Sequence, residues 1–161
     1  MANLFFASEI LEMNVTEERN GAAYYQALSE SAQSQTLRDT AAQIAQQEKH
    51  HEERFKSMLE KLGKPPLRES YEGEYGAYVQ ALLDDKVFPD DEAAAEMAKS
   101  IKSDLEAVEI ALSMEQKTLL LLGELRKHID PKEVSYIDAT IGEEQLHLVQ
   151  LTALKDQLAS K

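Results

Sequence analysis

Four long segments of the chain repeat apolar residues at alternating steps of three and four, the spacing of one face of an α-helix. Strand-like runs of alternating Val, Ile and Thr are missing, and the segments are rich in Ala, Leu, Glu, Gln and Lys, all good helix formers. The pattern therefore predicts an all-α chain. The predicted long helices are residues 4–33, 36–62, 103–128 and 131–160.

Capping residues and helix breakers mark the ends of these helices. Gly63, followed by two prolines, ends the second helix. The spacing Ser103-x-x-Glu106 is that of a capping box and opens the third. Asp130 is predicted to cap the fourth helix, with Pro131 as its first residue.

The lengths of the connections predict how the helices are arranged. The first and second helices are joined by a short loop, as are the third and fourth, so each pair forms an antiparallel hairpin. Residues 64–102 form a long crossover connection, which makes the second and third helices parallel. We expect one domain over residues 1–161, a four-helix bundle of two hairpins, with short helices near 74–84 and 91–101 in the connection. The connection also contains four aromatic residues, Tyr71, Tyr75, Tyr78 and Phe88.

Charged residues interrupt every apolar stripe near its middle. An isolated buried carboxylate carries a large free-energy cost unless it is paired or bound to a metal. Four glutamates and two histidines at one level of a bundle match the pattern of two-metal sites, in which two helices each supply a Glu-x-x-His pair. Because the donors are carboxylates and imidazoles without thiolates, iron or manganese is favoured, and zinc can also bind. The predicted ligands are Glu18, Glu48, His51, Glu115, Glu144 and His147.

The spacing of these six residues indicates an internal repeat. Glu18 precedes Glu48 by 30 residues, and Glu115 precedes Glu144 by 29. The offset between the halves is 97 residues for the first glutamate and 96 for each residue of the Glu-x-x-His pair. Each half therefore resembles a copy of one hairpin that supplies three ligands.

Composition excludes several other functions. The absence of cysteine removes disulfide scaffolds, thiolate metal sites and cysteine nucleophiles. The net charge of −13 argues against binding to nucleic acid or to an anionic membrane surface. The longest purely apolar run, Leu119 to Leu122, is far shorter than a transmembrane span, and we identify no targeting signal. We therefore expect a cytoplasmic protein.

Several segments resemble motifs of rubrerythrin, a branch of the ferritin-like superfamily. The run Glu18-Arg19-Asn20-Gly21-Ala22-Ala23-Tyr24-Tyr25 resembles the first-helix motif. Glu48-Lys49-His50-His51 and Glu143-Glu144-Gln145-Leu146-His147 resemble the Glu-x-x-His motifs, and Ala111-x-x-x-Glu115 resembles the third-helix motif. The likeness covers the four long helices and is weak over residues 64–102.

The resemblance implies a ferritin-like fold and a non-haem di-iron centre held by the six residues named above. Rubrerythrins reduce hydrogen peroxide, and their relatives oxidise ferrous iron or use dioxygen. Glu48 together with Glu115 or Glu144 would bridge the metals, and the sequence leaves that choice open. The alternatives are a non-catalytic iron-storage protein and a helical interaction module with a vestigial site.

Two departures from the rubrerythrin pattern affect the expected chemistry. Typical rubrerythrins carry a rubredoxin-like domain with iron on four cysteines, which this chain lacks. Electrons are therefore expected from a separate donor such as a rubredoxin-like protein. Thr118 stands where the family has an extra glutamate, which leaves a more symmetric six-ligand site.

Other residues near the stripes have weaker predicted roles. Tyr25 matches the family's first-helix tyrosine and is a candidate hydrogen-bond donor or radical quencher near the metals, or simply a buried core aromatic. The matching position of the third helix is Leu122. Asn14 lies on the same stripe as Glu18. His50 and His128 lie off the stripes and are expected to be exposed. A homodimer is expected, and its subunits could exchange hairpins.

Overall fold

The computed structural model describes residues 2–63 and 73–160, with side chains from residue 7 onward. Within these ranges the chain forms six α-helices and no strands, which confirms the predicted all-α class. The helices are α1 (Ala2–Ser31), α2 (Gln35–Leu62), α3 (Gly73–Asp84), α4 (Asp91–Ser100), α5 (Asp104–His128) and α6 (Val134–Ala159). Every predicted boundary lies within two residues of the observed one except the start of α6. Pro65, Pro66 and Tyr71 lie outside the described residues.

Side-chain caps explain where three of these helices begin. Ser34 accepts a hydrogen bond from the backbone N–H of Leu37 at the start of α2. Asp90 does the same for α4 through the N–H of Ala93, at 2.8 Å. Ser103 accepts from the N–H of Glu106, as predicted for the start of α5. Such caps satisfy N–H groups that have no partner within the helix.

The predicted start of α6 is wrong by three residues. Asp130 caps a separate turn: its side chain accepts from the N–H of Lys132 at 2.9 Å, and its carbonyl accepts from the N–H of Glu133 at 2.8 Å. Pro131 lies in this turn, and α6 begins only at Val134. The cap-and-proline signal was therefore real, but it marks the turn that precedes the helix.

Two apolar clusters fill the bundle at different levels. The first joins the end of α1 to the beginnings of α2 and α5 and the end of α6, and it includes Leu28, Ile44, Val108 and Leu151. The second joins the beginning of α1 to the ends of α2 and α5 and the beginning of α6, and it includes Leu11, Phe55, Leu122 and Ile137. This arrangement makes α2 parallel to α5 and antiparallel to α1 and α6, as predicted.

The described part of the crossover connection, residues 73–102, packs along α1. The α4 helix packs against α1, and the ring of Phe88 stacks on Tyr24 with ring centroids 5.7 Å apart. Asn20 donates a hydrogen bond to the Phe88 carbonyl, and the Tyr24 hydroxyl donates to the carbonyl of Ala107.

Within the described residues, no helix is sufficiently long and apolar to cross a bilayer.

Candidate metal centre

The six predicted ligands meet in the polar level between the two apolar clusters. The structure brings all of them together, and the exposed fraction of each residue is 3% or less. Each of the four long helices contributes: α1 and α5 supply one glutamate each, while α2 and α6 supply the Glu-x-x-His pairs. Because the clusters above and below consist of apolar side chains, bulk water is kept from this level.

The ligand atoms divide into two overlapping groups, each able to hold one metal ion. The Glu18 group contains Glu18, Glu48, His51 and Glu144; the Glu115 group contains Glu48, Glu115, Glu144 and His147. Within each group, one donor atom per residue lies within 4.8 Å of the others. Glu48 and Glu144 belong to both groups, whereas Glu18 and Glu115 each belong to one. Of the bridging pairs left open by the sequence, the geometry therefore favours Glu48 with Glu144.

Both imidazoles point Nδ1 toward the carboxylates. The Nδ1 atom of His51 lies 2.9 Å from Glu144 Oε1 and 3.4 Å from Glu18 Oε2. The Nδ1 atom of His147 lies 2.9 Å from Glu144 Oε2 and 3.5 Å from an oxygen of both Glu48 and Glu115. Nδ1 is therefore the nitrogen available to a metal in each group.

The outward Nε2 atoms of the histidines are held by residues that sequence reasoning missed. His51 Nε2 lies 2.8 Å from Glu143 Oε2, and His147 Nε2 lies 2.9 Å from Gln47 Oε1. Such partners orient a metal-binding imidazole and fix its tautomer. A signal was present, since each partner immediately precedes the glutamate of a Glu-x-x-His pair, but neither lies on an apolar stripe.

Burial opposes ionisation of most of the carboxylates. It raises the pKa of Glu18 and Glu48 well above the usual value, and neighbouring negative charges add to both shifts. Burial also raises the pKa of Glu115 to about 7. Burial acts in the same direction on Glu144, but hydrogen bonds with the two histidines outweigh it and lower its pKa to about 2.

The pKa values of the two histidines are raised, although burial alone would lower them. Burial disfavours an imidazolium, but contact with Glu144 raises the pKa of His51 to about 9. Contacts with Glu115 and Glu144 likewise raise the pKa of His147 to about 10. Without metal, protons on these groups offset the negative charge, so metal binding must displace protons.

Several buried donor atoms have no hydrogen-bond partner, which tests whether a metal fits here. They include both carboxylate oxygens of Glu18. Buried polar atoms in native proteins are almost always paired. Both belong to the Glu18 group, in which one donor atom of each of four residues lies within 4.8 Å of the others, so a cation in that group would satisfy them. Oxygen and imidazole donors suit iron, manganese or zinc.

Tyr25 contacts the centre directly. Its hydroxyl donates a hydrogen bond to Glu115 Oε1. Burial and the charge of Glu115 raise the pKa of Tyr25 well above its usual value, so the phenol keeps its proton. Asn14 is also buried, but its amide donates to the carbonyl of Ile10, one turn back in α1.

Two remaining predictions concerned histidines off the stripes. His50 is exposed, as expected. His128 is only half-buried and its Nε2 contacts the hydroxyl of Tyr75, so the prediction of simple exposure is wrong for it. The reason is that α3 of the crossover connection brings Tyr75 against the end of α5, which the helical stripes alone do not indicate.

A buried lysine, Lys117, was also missed by sequence reasoning. Lys117 lies two residues after Glu115; its ammonium donates to the carbonyl of Leu82 and lies 3.6 Å from a carboxylate oxygen of Asp85. Burial raises the pKa of Glu17 to about 7, and the positive charge of Lys117 acts in the opposite direction. These residues flank the stripes, where helical periodicity predicts neither exposure nor burial.

Comparisons with known proteins agree with this geometry. The rubrerythrin family model matches residues 9–155, a span that includes all six predicted ligands. The fold is similar to that of a candidate ferritin-like diiron-carboxylate protein of Thermotoga maritima, solved by crystallography at 2.30 Å. That match has a TM-score of 0.69 and 24% sequence identity, and it covers 93% of this chain and 94% of the other. No curated protein sequence matches the chain.

Proposed function

The chain belongs to the rubrerythrin family, and from this premise we propose that it is a di-iron oxidoreductase. It would reduce hydrogen peroxide or oxidise ferrous iron. The observation that carries the proposal is the pair of buried groups that share Glu48 and Glu144. Two divalent cations there would balance the charge of four buried carboxylates, in place of the protons that offset it in the metal-free centre. The T. maritima protein of similar fold is a candidate diiron-carboxylate protein, which is consistent with this proposal.

Each ligand has a place in this proposal. Glu18 and His51 would hold one iron and Glu115 and His147 the other, with Glu48 and Glu144 between them. When bound, two ferrous ions would supply the two electrons that, with two protons, reduce one hydrogen peroxide to two water molecules. Thr118 is buried one turn beyond Glu115 on α5 and adds no seventh carboxylate.

The surrounding residues control protons and water. Glu143 and Gln47 hold the two imidazoles in the orientation that leaves Nδ1 free. Tyr25 keeps its proton at the hydroxyl and donates it in a hydrogen bond to Glu115. The apolar clusters on either side exclude bulk water. Since the chain contains no cysteine, the electrons would come from a separate rubredoxin-like donor.

Peroxide-dependent oxidation of the loaded protein tests the proposed reaction. We expect ferrous wild-type protein to be oxidised by hydrogen peroxide at least about 100-fold faster than a Glu115→Ala variant. Loss of a ligand should cost more than the 10–100-fold typical of losing an outer partner of a ligand. The measurement is stopped-flow absorbance on anaerobic protein, with dioxygen as the competing oxidant.

Gln116→Ala is the matched control, because this neighbour of Glu115 on α5 is exposed. It should react like wild type. Wild-type protein that peroxide oxidises no faster than the Glu115→Ala variant would contradict catalysis. Faster oxidation by dioxygen than by peroxide would favour ferrous-iron oxidation as the activity.

We also propose that the chain forms a homodimer. Leu146 and Val149 are 52% and 65% exposed on adjacent turns of α6, an apolar strip on the outside of the bundle. Gel filtration with light scattering should give twice the 18.1-kDa mass of one chain. A Leu146→Glu, Val149→Glu variant should be monomeric, whereas Gln145→Glu, at an exposed neighbour, should not. Monomeric wild type would contradict the dimer, and a large many-subunit shell would favour iron storage.

A further inference from the structure

We propose that the two metal positions are unequal, and that the Glu18 group binds its cation more tightly than the Glu115 group. The inference rests on the metal centre of the proposed function and deepens it. It follows from the residues behind the two histidines and from the hydrogen bond of Tyr25, all of which differ between the two halves of the chain.

The partners of the histidines occupy equivalent positions in the internal repeat. Gln47 and Glu143 are 96 residues apart (143 − 47), the same offset that relates His51 to His147. Each histidine contacts the partner that lies on the other Glu-x-x-His helix: His51 contacts Glu143 and His147 contacts Gln47. The two halves thus share one framework, in which a carboxylate in one position is replaced by an amide in the other.

The difference between these partners is one of charge and not of geometry. For Nδ1 to bind a cation, the proton of a neutral imidazole must lie on Nε2, which then donates to the partner's oxygen. The two contacts are almost the same length, 2.8 and 2.9 Å. A carboxylate acceptor makes a charge-assisted hydrogen bond and raises the basicity of the ligand, whereas an amide is neutral. His51 is therefore the stronger donor.

Tyr25 introduces a second difference in the same direction. Its hydroxyl donates to Glu115, a ligand of the Glu115 group only, and so competes with a cation for the electrons of that carboxylate. In the other half of the chain, the residue equivalent to Tyr25 is Leu122 (25 + 97). Its side chain has no hydrogen-bond donor, so Glu18 lacks the corresponding contact. No described side-chain hydroxyl donates to Glu18, whose two carboxylate oxygens are buried.

We expect the affinity difference to be about tenfold, the lower end of the 10–100-fold range for outer partners of metal ligands. The lower end is appropriate because the side chain of Glu143 is 47% exposed, and solvent screens its charge. Glu48 and Glu144 are shared, so even an equivalent pair would fill in two coupled steps. The test therefore uses variants in which only the Glu18 group or only the Glu115 group remains.

The experiment is calorimetric titration of metal-free full-length protein with Co²⁺, with native mass spectrometry to count the bound ions. Glu115→Ala retains the Glu18 group, and Glu18→Ala retains the Glu115 group. The first variant should bind its single Co²⁺ about tenfold more tightly than the second. Equal affinities, or tighter binding by Glu18→Ala, would overturn the inference.

Charge exchange at the outer partners provides an independent readout in the complete centre. Gln47→Glu should tighten the weaker step about tenfold, and Glu143→Gln should weaken the tighter step by a similar factor. The matched controls Gln46→Glu and Glu53→Gln make the same charge changes at exposed positions of α2 and should alter neither step. Binding steps that do not respond to Gln47→Glu or Glu143→Gln would overturn the inference.

These outcomes are distinct from failure of the proposed function. Two Co²⁺ ions bound with the expected asymmetry, in a protein that peroxide does not oxidise when iron-loaded, would contradict catalysis and support the inequality. Peroxide-dependent oxidation combined with equal single-site affinities would support catalysis and contradict the inequality of the two metal positions. Failure of wild type to bind two ions would overturn both.

Discussion

Removing the metals is expected to lower the melting temperature of the protein by about 10–20 °C at pH 8. A ligand present at a hundredfold excess over its dissociation constant stabilises a fold by about 2.7 kcal/mol. Two such cations would therefore contribute about 5.4 kcal/mol, and each kcal/mol shifts the melting temperature by about 2–4 °C in a chain of this size. The measurement is differential scanning calorimetry with Mn²⁺ and with a chelator, since Mn²⁺ avoids oxidation during the scan.

The size of this effect should grow with pH. A group whose pKa is raised in the fold contributes stability at low pH that is lost as the pH rises through the folded value. For metal-free protein, the loss extends to about pH 7 for Glu115 and to about pH 9 and 10 for His51 and His147. The pKa of Glu144 is lowered to about 2, so this group contributes stability that is lost only as the pH falls toward that value, below the range considered.

Between pH 6 and pH 9, metal-free protein should therefore lose stability, while metal-loaded protein changes less because its ligands are already deprotonated. The metal-dependent difference in melting temperature should widen across that interval. A difference that is absent, or constant from pH 6 to pH 9, would contradict the electrostatic account of the centre.

A Glu48→Ala, Glu144→Ala double variant is expected to bind no metal pair. These two carboxylates belong to both groups, so their loss leaves Glu18 with His51 and Glu115 with His147. Two donors on each side are too few for a stable site of this class, in which six residues hold two ions. The metal content should fall from two ions per chain to none, and Mn²⁺ should no longer raise the melting temperature.

A double variant with the same change in charge is the appropriate control. Glu53→Ala, Glu106→Ala removes two exposed carboxylates from α2 and α5. It should retain two metal ions and the full Mn²⁺-dependent shift in melting temperature. Equal loss of metal in both double variants would mean that metal binds to the acidic surface rather than in the bundle.

The six central residues were predictable from sequence because a charged residue within an otherwise apolar helical stripe is unusual. An apolar stripe at helical spacing defines which face of each helix is buried, and a glutamate such as Glu18 or Glu115 on that face requires a partner. The repeat of 96–97 residues then relates the two hairpins. The structure places these residues at one level because apolar clusters pack above and below them.

Helical spacing predicts which face of a helix is buried, but it does not predict how far a side chain reaches into the bundle or which atoms it contacts. The questions that the sequence left open are of this second kind. Glu115 and Glu144 each interrupt an apolar stripe near its middle, yet only Glu144 belongs to both groups. Gln47 and Glu143 lie beside the stripes and reach the histidines across the interface between α2 and α6. The contact of Tyr75 with His128 likewise depends on where the crossover connection lies.

Local signals were reliable for the kind of boundary but not always for its position. Ser103 and Gly63 stand where α5 begins and α2 ends. Asp130 and Pro131 make an equally clear signal, but the hydrogen bonds of Asp130 close a turn before α6 begins. Caps bind the nearest free N–H groups, and a sequence does not reveal whether the backbone continues from that turn as a helix.

The most direct test of the buried di-iron centre is the iron content of the purified protein, measured by mass spectrometry together with the visible spectrum of the oxidised form. Two irons per chain are predicted, with visible absorption from an oxidised iron pair and with neither feature in the Glu48→Ala, Glu144→Ala variant. Wild-type protein that binds no more iron than this variant, even after anaerobic loading with ferrous iron, would contradict the account.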